Sequence, residues 1–490
     1  MTVMPEHPNL VLIVTDQERA PMHWPEGFAQ ERLPSRARLM RHGVSFEHAT
    51  CNTAMCSPSR ATFLTGLMPA QHRVIDTLTS NGPVSPSETV LDPRLPNLAT
   101  MLRAGGYDVE YRGKWHLSKD ASGGEDVTAD DLAAYGFGGW VAPDAGGDTS
   151  PEGFGGGRAG HDAVYIEQAV AFLRDRAASG NETPFCLVVS LVNPHDVLAF
   201  PRQWEADYGP EDLVGDIPLP PSVDEDLTTN HKPRAHAMMK GAIDMAVGPL
   251  QTREEQRQYA SFYANLTVKI DEQIAPIVDC FYAPDGTPTP LGERTVVVRF
   301  SDHGELAMSH GGLRQKAFNV YEETLRVPLI FSNPVLFPEG RTCAHPASLI
   351  DIVPTVAGLL HVDAPQGLRG ADLTPLLLDA DAGPVQDEVL FTFDDMHAGA
   401  GFVKEVVPGA AGRIRCIREP RFKYARYFHA EGSHPTEHEM YDLAEDPDEL
   451  HNLAHPDHPR FGDPAVTAER ERLAAKLARI EDELARPIGA

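Results

Sequence analysis

A cysteine, a proline and an arginine stand within five residues in Cys56-Ser57-Pro58-Ser59-Arg60, followed by Ala-Thr-Phe-Leu-Thr-Gly. Proline suits the first helical position, where its missing N–H would have no partner and its φ is already set. The run predicts a helix with Cys56 at or just before its N-terminus, where unpaired N–H groups and the dipole favour negative charge. Arg60 lies one helical turn on and can reach back to the same point. Such a cysteine is either a nucleophile facing an anionic group or a buried structural thiol. The rest of the chain must decide.

Asp16-Gln17 and Asp302-His303-Gly304 each follow a continuous apolar run, Asn9–Thr15 and Thr295–Ser301. Carboxylate and amide oxygens suit a hard cation such as calcium or magnesium, and an added imidazole admits manganese. A helix cap or turn is the alternative for the second group; the pairing with Asp16-Gln17 favours metal. His195 follows Pro184–Asn193 and Pro194. Lys114 and His116 follow the strand-like Asp108–Arg112 and share a face if that strand continues. A cation and a proton-transfer group on one face suit an oxyanion leaving-group site. Lys316 offers a second cation.

Elements must bring these residues together. The apolar runs read as strands buried on both faces, with Val327–Phe331 a further short one. Leu95–Ala104, Ala163–Arg174 and Arg253–Phe281 carry helical spacing between them. The alternation implies an α/β fold with a large, mostly parallel sheet flanked by helices, in which ligands bind beyond the carboxyl ends of strands. Three strands end in Asp-Gln, Pro-His and Asp-His-Gly. Residues 119–160 and 200–250 read as long excursions, either pocket walls or surface insertions. Trp140, Phe154 and Trp204 there could line an aromatic pocket, stand exposed or belong to the core. From about residue 385 short strand-like pieces separated by turns predict a smaller C-terminal α+β subdomain with an antiparallel sheet. Ala465–Ala485 reads as a closing helix whose Leu473, Leu477, Ile480 and Leu484 stripe packs on the domain. The expected division is 1–384 and 385–490.

The 490 residues hold 42 lysines and arginines against 71 acidic residues, a net charge of −29. That balance argues against nucleic acid and anionic membranes as partners. Positive charge for an anionic substrate must then be local. Six scattered cysteines without CxxC spacing read as free thiols in a reducing compartment. With neither a secretory signal pattern nor an 18-residue apolar stretch, a cytoplasmic protein is expected.

Taken together, the motifs resemble the type I sulfatases of the alkaline-phosphatase superfamily. NLVLIVTDQ, CSPSRATFLTG, GKWH, NPH, SDHGE, KAFNVYEETLRVPLIF and MYDLAEDPDELHNLA stand in family order over most of the chain. The resemblance implies an alkaline-phosphatase-like fold and conversion of Cys56 to formylglycine by a formylglycine-generating enzyme. It implies that Asp16, Gln17, Asp302 and His303, with the residue derived from Cys56, hold one divalent cation: calcium first, manganese as the alternative. Arg60 would orient the aldehyde hydrate, and Lys114 and Lys316 would neutralise sulfuryl oxygens. His116 would take the second hydrate proton, and His195 would protonate the leaving oxygen. His72 falls at a family-like position near the substrate; His310 is a weaker candidate.

Many members have Asp-Asp and Asp-Asn where this chain has Asp16-Gln17 and Asp302-His303. The Gln and His versions resemble the choline-sulfatase and phosphonate-monoester-hydrolase branch, while Lys114-Trp115-His116 looks more like a sulfatase. The expected activity is hydrolysis of a small organic or aryl sulfate ester through a covalent sulfo-enzyme. The alternatives are a phosphonate monoester or phosphodiester hydrolase with the same machinery, or a non-enzymatic binder of sulfated ligands. A homo-oligomer is compatible with the family.

Overall fold

The computed structural model describes residues 4–79, 82–119, 126–147, 150–401 and 403–484. Its thirteen strands, in chain order, are β1 (Asn9–Asp16), β2 (Gly43–Phe46), β3 (Ala49–Thr50), β4 (Asp108–Gly113), β5 (Phe185–Pro194), β6 (Thr295–Ser301), β7 (Leu329–Ser332), β8 (Arg341–Cys343), β9 (Ala347–Ser348), β10 (Val389–Phe393), β11 (Arg413–Arg418), β12 (Phe422–Phe428) and β13 (Glu437–Asp442). Seven form one sheet in the order β4-β5-β1-β6-β7-β2-β8. β4, β5, β1 and β6 run parallel, β7 runs against both its neighbours, and β2 and β8 are parallel.

The three central strands are apolar runs because both their faces are covered. Every residue of β1, β5 and β6 is buried. Side chains alternate between two cores, as a period of two requires. Leu10, Leu12 and Val14 join Val296, Val298 and Phe300 on one face. Val11 and Ile13 join Leu187, Val189 and Val297 on the other. Helices His161–Ala178 and Arg253–Val278 cover the second face through Tyr165, Ile166, Leu173, Ile270, Ile274 and Ile277. Helices Cys56–Thr65, Leu98–Ala104 and Ile352–Leu360 cover the first.

The C-terminal strands form an antiparallel four-stranded sheet in the order β10-β11-β12-β13. Phe391, Phe393, Ile414, Cys416, Ala425 and Tyr427 turn into the main core. Leu390, Ile417, Tyr424 and Met440 turn the other way, onto Leu473, Leu477 and Ile480 of the terminal helix Pro464–Leu484. The terminal stripe therefore packs on its own chain; the side chain of Leu484 lies outside the described residues.

Three regions differ from the reading of the sequence. The short β2, β8, β3 and β9 were not foreseen. Residues 200–250 contain the helix Arg234–Val247 beside several short 3₁₀ turns. Trp140, Phe154 and Trp204 are core residues, and Trp140 Nε1 donates to Gly113 O at 2.8 Å. Within 119–160, residues 120–125 and 148–149 lie outside the described residues. All six cysteines are free, and among the described residues no helix is long and apolar enough to cross a membrane.

Candidate metal centre and nucleophile

Neighbouring strands β1 and β6 end together, so Asp16 and Asp302 are delivered to one point; Asp302 N donates to Thr15 O at 3.2 Å. The chain turns sharply after β1, with Gln17 at φ 70°, and Gln17 N donates to Asp302 Oδ1 at 3.1 Å. The helix Cys56–Thr65 aims its N-terminus at the same point. Cys56 itself is its first residue, and Pro58 is the third rather than the first. The proline is still free of cost there, because the first helical bond is donated by Ser59 to Met55 O.

Cys56 Sγ lies 3.3 Å from His303 Nε2 and 3.6 Å from Asp16 Oδ1. Asp16, Cys56, Asp302 and His303 bring one donor atom each within 4.8 Å of one another, and all four are buried. His303 Nδ1 lies 3.1 Å from Gly304 O; a carbonyl only accepts, so the proton is on Nδ1 and the Nε2 lone pair faces the cluster. Arg60 Nη2 spans the two carboxylates, 2.9 Å from Asp16 Oδ2 and 3.1 Å from Asp302 Oδ2. Its Nη1 donates to Ser190 Oγ at 2.7 Å and to Lys114 O at 3.1 Å. Arg60 is thus a brace between the ends of β1, β6, β4 and β5. Lys114 Nζ reaches Asp16 Oδ2 at 2.7 Å and also donates to Gly146 O.

Burial pushes the Asp16 carboxyl up, but Lys114, His195, Arg60 and His303 together hold it well below the usual range. Burial and Asp16 push the Cys56 thiol up; Lys114, Lys316 and His303 outweigh them and leave it well below an ordinary thiol. Asp302, buried and facing Asp16, is pushed up to about 6. Burial and Lys114 push His195 down. For His303 burial acts downward, but Asp302 prevails and raises it.

Gln17 is clamped on both sides: Oε1 accepts from Lys316 Nζ at 2.6 Å, while Nε2 donates to Glu305 Oε2 at 2.6 Å and Gln315 Oε1 at 3.1 Å. His195 follows a cis Asn193–Pro194 peptide and opens the turn after β5, near enough to Asp16 and Lys114 for both to act on its charge. Of the other three histidines, His72 and His310 have both ring nitrogens engaged and His116 has one. β4 stops at Gly113, whose φ of 98° and approach to Ser190 O exclude any side chain, so the alternation expected to align His116 with Lys114 ends there. His116 Nε2 lies 2.7 Å from Leu78 O, and its buried Nδ1 has no hydrogen-bond partner. His72 spends Nε2 on Thr62 Oγ1 and Nδ1 on Val74 N, both at 3.1 Å, and burial pushes it down to about 3. His310 lies in a separate ion network, 2.8 Å from Glu225.

Glu305 was not singled out from the sequence, although it holds the region together. It accepts from Gln17, from Tyr259 OH at 2.9 Å, and from Ala307 N and Gln315 N at 3.0 and 2.9 Å. The only signal was its place in SDHGE. Ser190, which positions Arg60, lay unremarked inside an apolar run.

The donor set fits a divalent cation. Two carboxylates, a thiol and an imidazole lone pair converge beneath a helix N-terminus, with the Gln17 amide oxygen held by Lys316 as a further oxygen donor from the same turn. Asp302 Oδ2 is buried without a hydrogen bond, its Arg60 contact being an ion pair only. A family model described as Sulfatase matches residues 8–362, and one described as N-sulphoglucosamine sulphohydrolase, C-terminal, matches 310–481. An ulvan-active sulfatase from Formosa agariphila is 28% identical over 488 residues, covering 96% of this chain and 81% of its own length. A delta 4,5-hexuronate-2-O-sulfatase from Bacteroides thetaiotaomicron is 25% identical over 453 residues, covering 92% and 85%. The solved structure of a phosphonate monoester hydrolase from Silicibacter pomeroyi shares the fold, with a TM-score of 0.70 at 22% identity over 97% of this chain and 96% of that one. With the family model spanning most of the chain and named sulfatases aligned along nearly all of it, the chain belongs to the sulfatase family and is a sulfatase-type hydrolase.

Proposed function

We propose that the chain hydrolyses a sulfate monoester at Cys56, after oxidation of that residue to formylglycine by a maturation enzyme. One observation carries this reading: a buried cysteine at a helix N-terminus, 3.3 Å from an imidazole lone pair and 3.6 Å from a carboxylate braced by arginine. Three carboxylates (Asp16, Asp302, Glu305) balance three cations (Arg60, Lys114, Lys316) there. A divalent cation held by Asp16, Gln17, Asp302 and His303, calcium first with manganese as the alternative, would tip the site positive and supply charge to a sulfuryl oxygen.

One hydroxyl of the aldehyde hydrate at position 56 gives up its proton to solvent and attacks sulfur, and the bond from sulfur to the alcohol oxygen breaks. His195 gives its proton to that oxygen. Burial and Lys114 keep His195 neutral at rest, so the arriving anion must raise its affinity for that proton. The remaining hydroxyl then loses its proton, the carbon–oxygen bond to the sulfo group breaks, and the aldehyde re-forms as sulfate leaves. The free Nδ1 of His116 suits it as the acceptor of that second proton. Lys114 and Lys316 would meet sulfuryl oxygens. His72, with both nitrogens spent, is left a structural part.

A small organic or aryl sulfate is the proposed substrate class, and the named relatives add sulfated saccharides. Residues 1–384 would form the catalytic unit and 385–490 the C-terminal one. The glutamine and histidine among the proposed ligands favour phosphonate monoester or phosphodiester cleavage as the second reading. The test is mass spectrometry of the Cys56 peptide from protein made with a formylglycine-generating enzyme, together with sulfate and phosphonate release from a matched aryl pair. An aldehyde mass and faster sulfate release are expected; an intact thiol in active protein would sink the mechanism, and faster phosphonate release would reverse the ranking.

A further inference from the structure

His231 and His455 stack face to face on the surface, with ring centroids 4.4 Å apart and planes within 6°. Asp457 lies beside them, its Oδ2 3.9 Å from His455 Nδ1. One donor atom from each of the three residues lies within 4.8 Å of the other two. The two imidazoles come from segments far apart in sequence. His231 belongs to the turn before the helix Arg234–Val247, and His455 to the turns after β13.

The turns are locked in place by a buried amide. Asn452 Nδ2 donates to His231 O and to His438 O, each at 2.9 Å. Its Oδ1 accepts from Met440 N at 3.1 Å and Ala454 N at 3.0 Å. All four of its valences go to holding the strand-end loop and the His231 turn together. His231 is further fixed in the left-handed backbone region, at φ 57°. Next to it, Lys232 Nζ donates to Tyr441 OH at 2.8 Å and to Glu449 O. Against this rigid frame the donors themselves are uncommitted. No hydrogen bond holds the His231 ring among the described residues. The carboxylate of Asp457 is exposed, and His455 Nδ1 accepts only the backbone N–H of Asp457, at 3.2 Å.

We infer that His231, His455 and Asp457 form a second cation site, separate from the Cys56 centre, for a borderline transition metal of the zinc class. Two imidazoles and one carboxylate are a donor set that nitrogen-preferring metals select over calcium or magnesium. Bonds of about 2.0–2.2 Å in tetrahedral geometry need donors about 3.3–3.6 Å apart. The stacked rings hold their lone pairs in parallel planes, so the two half-buried imidazoles must rotate out of the stack to aim at one ion, and the exposed carboxylate follows. The Asp457 N–H then returns to water. The fourth position takes water, as the three-ligand pattern requires. A metal here would pin the 226–233 turn to the C-terminal sheet. It would stabilise the junction between the two parts of the chain. The inference does not depend on sulfate chemistry.

The test is zinc titration of the full chain in excess calcium, by calorimetry, with cobalt absorption reporting imidazole coordination. The unaltered protein should bind one more equivalent of zinc than a His231→Ala/His455→Ala variant, and its Tm should rise with zinc while that of the variant does not. Asp302→Asn should leave this equivalent intact, which separates it from the Cys56 centre. Should the double variant misfold, Asp457→Asn alters only an exposed side chain and should weaken zinc binding about tenfold or more. Equal stoichiometry and affinity in the unaltered and variant proteins, or loss of the equivalent in Asp302→Asn alone, would overturn the inference.

Discussion

The Cys56 cluster and the His310 cluster are built from the same kinds of residue, and each brings its donors within 4.8 Å of one another. Around His310 the groups meet opposite charge on nearly every side, although Glu449 Oε1, like Asp302 Oδ2, has an ion pair and no hydrogen bond. Its Nδ1 meets Glu225 at 2.8 Å and its Nε2 meets Glu323 at 3.4 Å, while the ring stacks on Tyr321. Glu323 is also bound by His23 at 2.8 Å. Glu449 takes Lys423 on one oxygen and Glu322 N on the other, at 2.8 Å. Arg418 and Lys423 close the circuit on Glu322 at 2.8 and 3.1 Å. Around Cys56 the imidazole meets no close carboxylate: His303 Nε2 faces the Cys56 thiol at 3.3 Å, with Asp302 Oδ1 at 3.6 Å and Asp16 Oδ1 at 3.7 Å. Burial and charge are common to both. What separates the two is what each imidazole meets: Glu225 at 2.8 Å around His310, a thiol at a helix N-terminus around Cys56.

If that distinction is right, removing a group costs activity in one cluster and stability in the other. The largest effect is expected from Cys56→Ala. Turnover of an aryl sulfate should fall on the order of 10⁴-fold or more, with the urea midpoint almost unchanged. Retained turnover would refute the assignment of the nucleophile. In the closed network, Lys423→Met strands Glu322 and Glu449 without their ammonium partner. Unfolding free energy should drop by about 3–5 kcal/mol, read from urea melts, while kcat per folded molecule stays within about twofold. A variant as stable as the parent would show that the network is not closed as described.

The contrast also explains what could be read from the sequence. Asp16, Asp302 and His303 were visible because each ends an apolar run, and a parallel sheet puts such ends side by side. Cys56 and Arg60 were visible because a helix start has local chemical rules. Glu305 was not, because its partners Gln17 and Tyr259 are 288 and 46 residues away and only the folded chain brings them near. The left-handed turn at Gly113 broke the alternation extended to His116, since no period of two survives a φ of 98°. The helix Arg234–Val247 was hidden by the prolines and polar residues around it, although Ala235, His236 and Met239 point into the core at helical spacing. β3 and β9 are two residues each, too short to leave a pattern.

The subtlest test of the contrast uses pH. Burial acts to lower His310, but Glu323 and Glu225 overcome it and Lys232 opposes them only in part, leaving the ring pushed up to about 9. Unfolded histidine titrates near 6.5. The folded value lies above the unfolded one, so the stabilisation is complete below about pH 6.5 and is lost as pH rises through 9. Its ceiling is on the order of 3 kcal/mol. Asp162 and Asp395, each pushed up to about 7 by burial, and Glu449 at about 7 favour the fold most at low pH; their contribution falls as pH rises from about 4 towards 7 and is flat above it. Over the interval from pH 7 to 9 the thiols titrate as well, but alike in parent and variant, so the difference between the two proteins reads His310. Urea midpoints should fall across it for the parent, and fall distinctly less for His310→Asn, which has no proton to lose there. Parallel slopes in the two proteins would mean that His310 is neutral in the fold. Its two carboxylate partners would then be unpaired, and the difference between the two clusters would disappear.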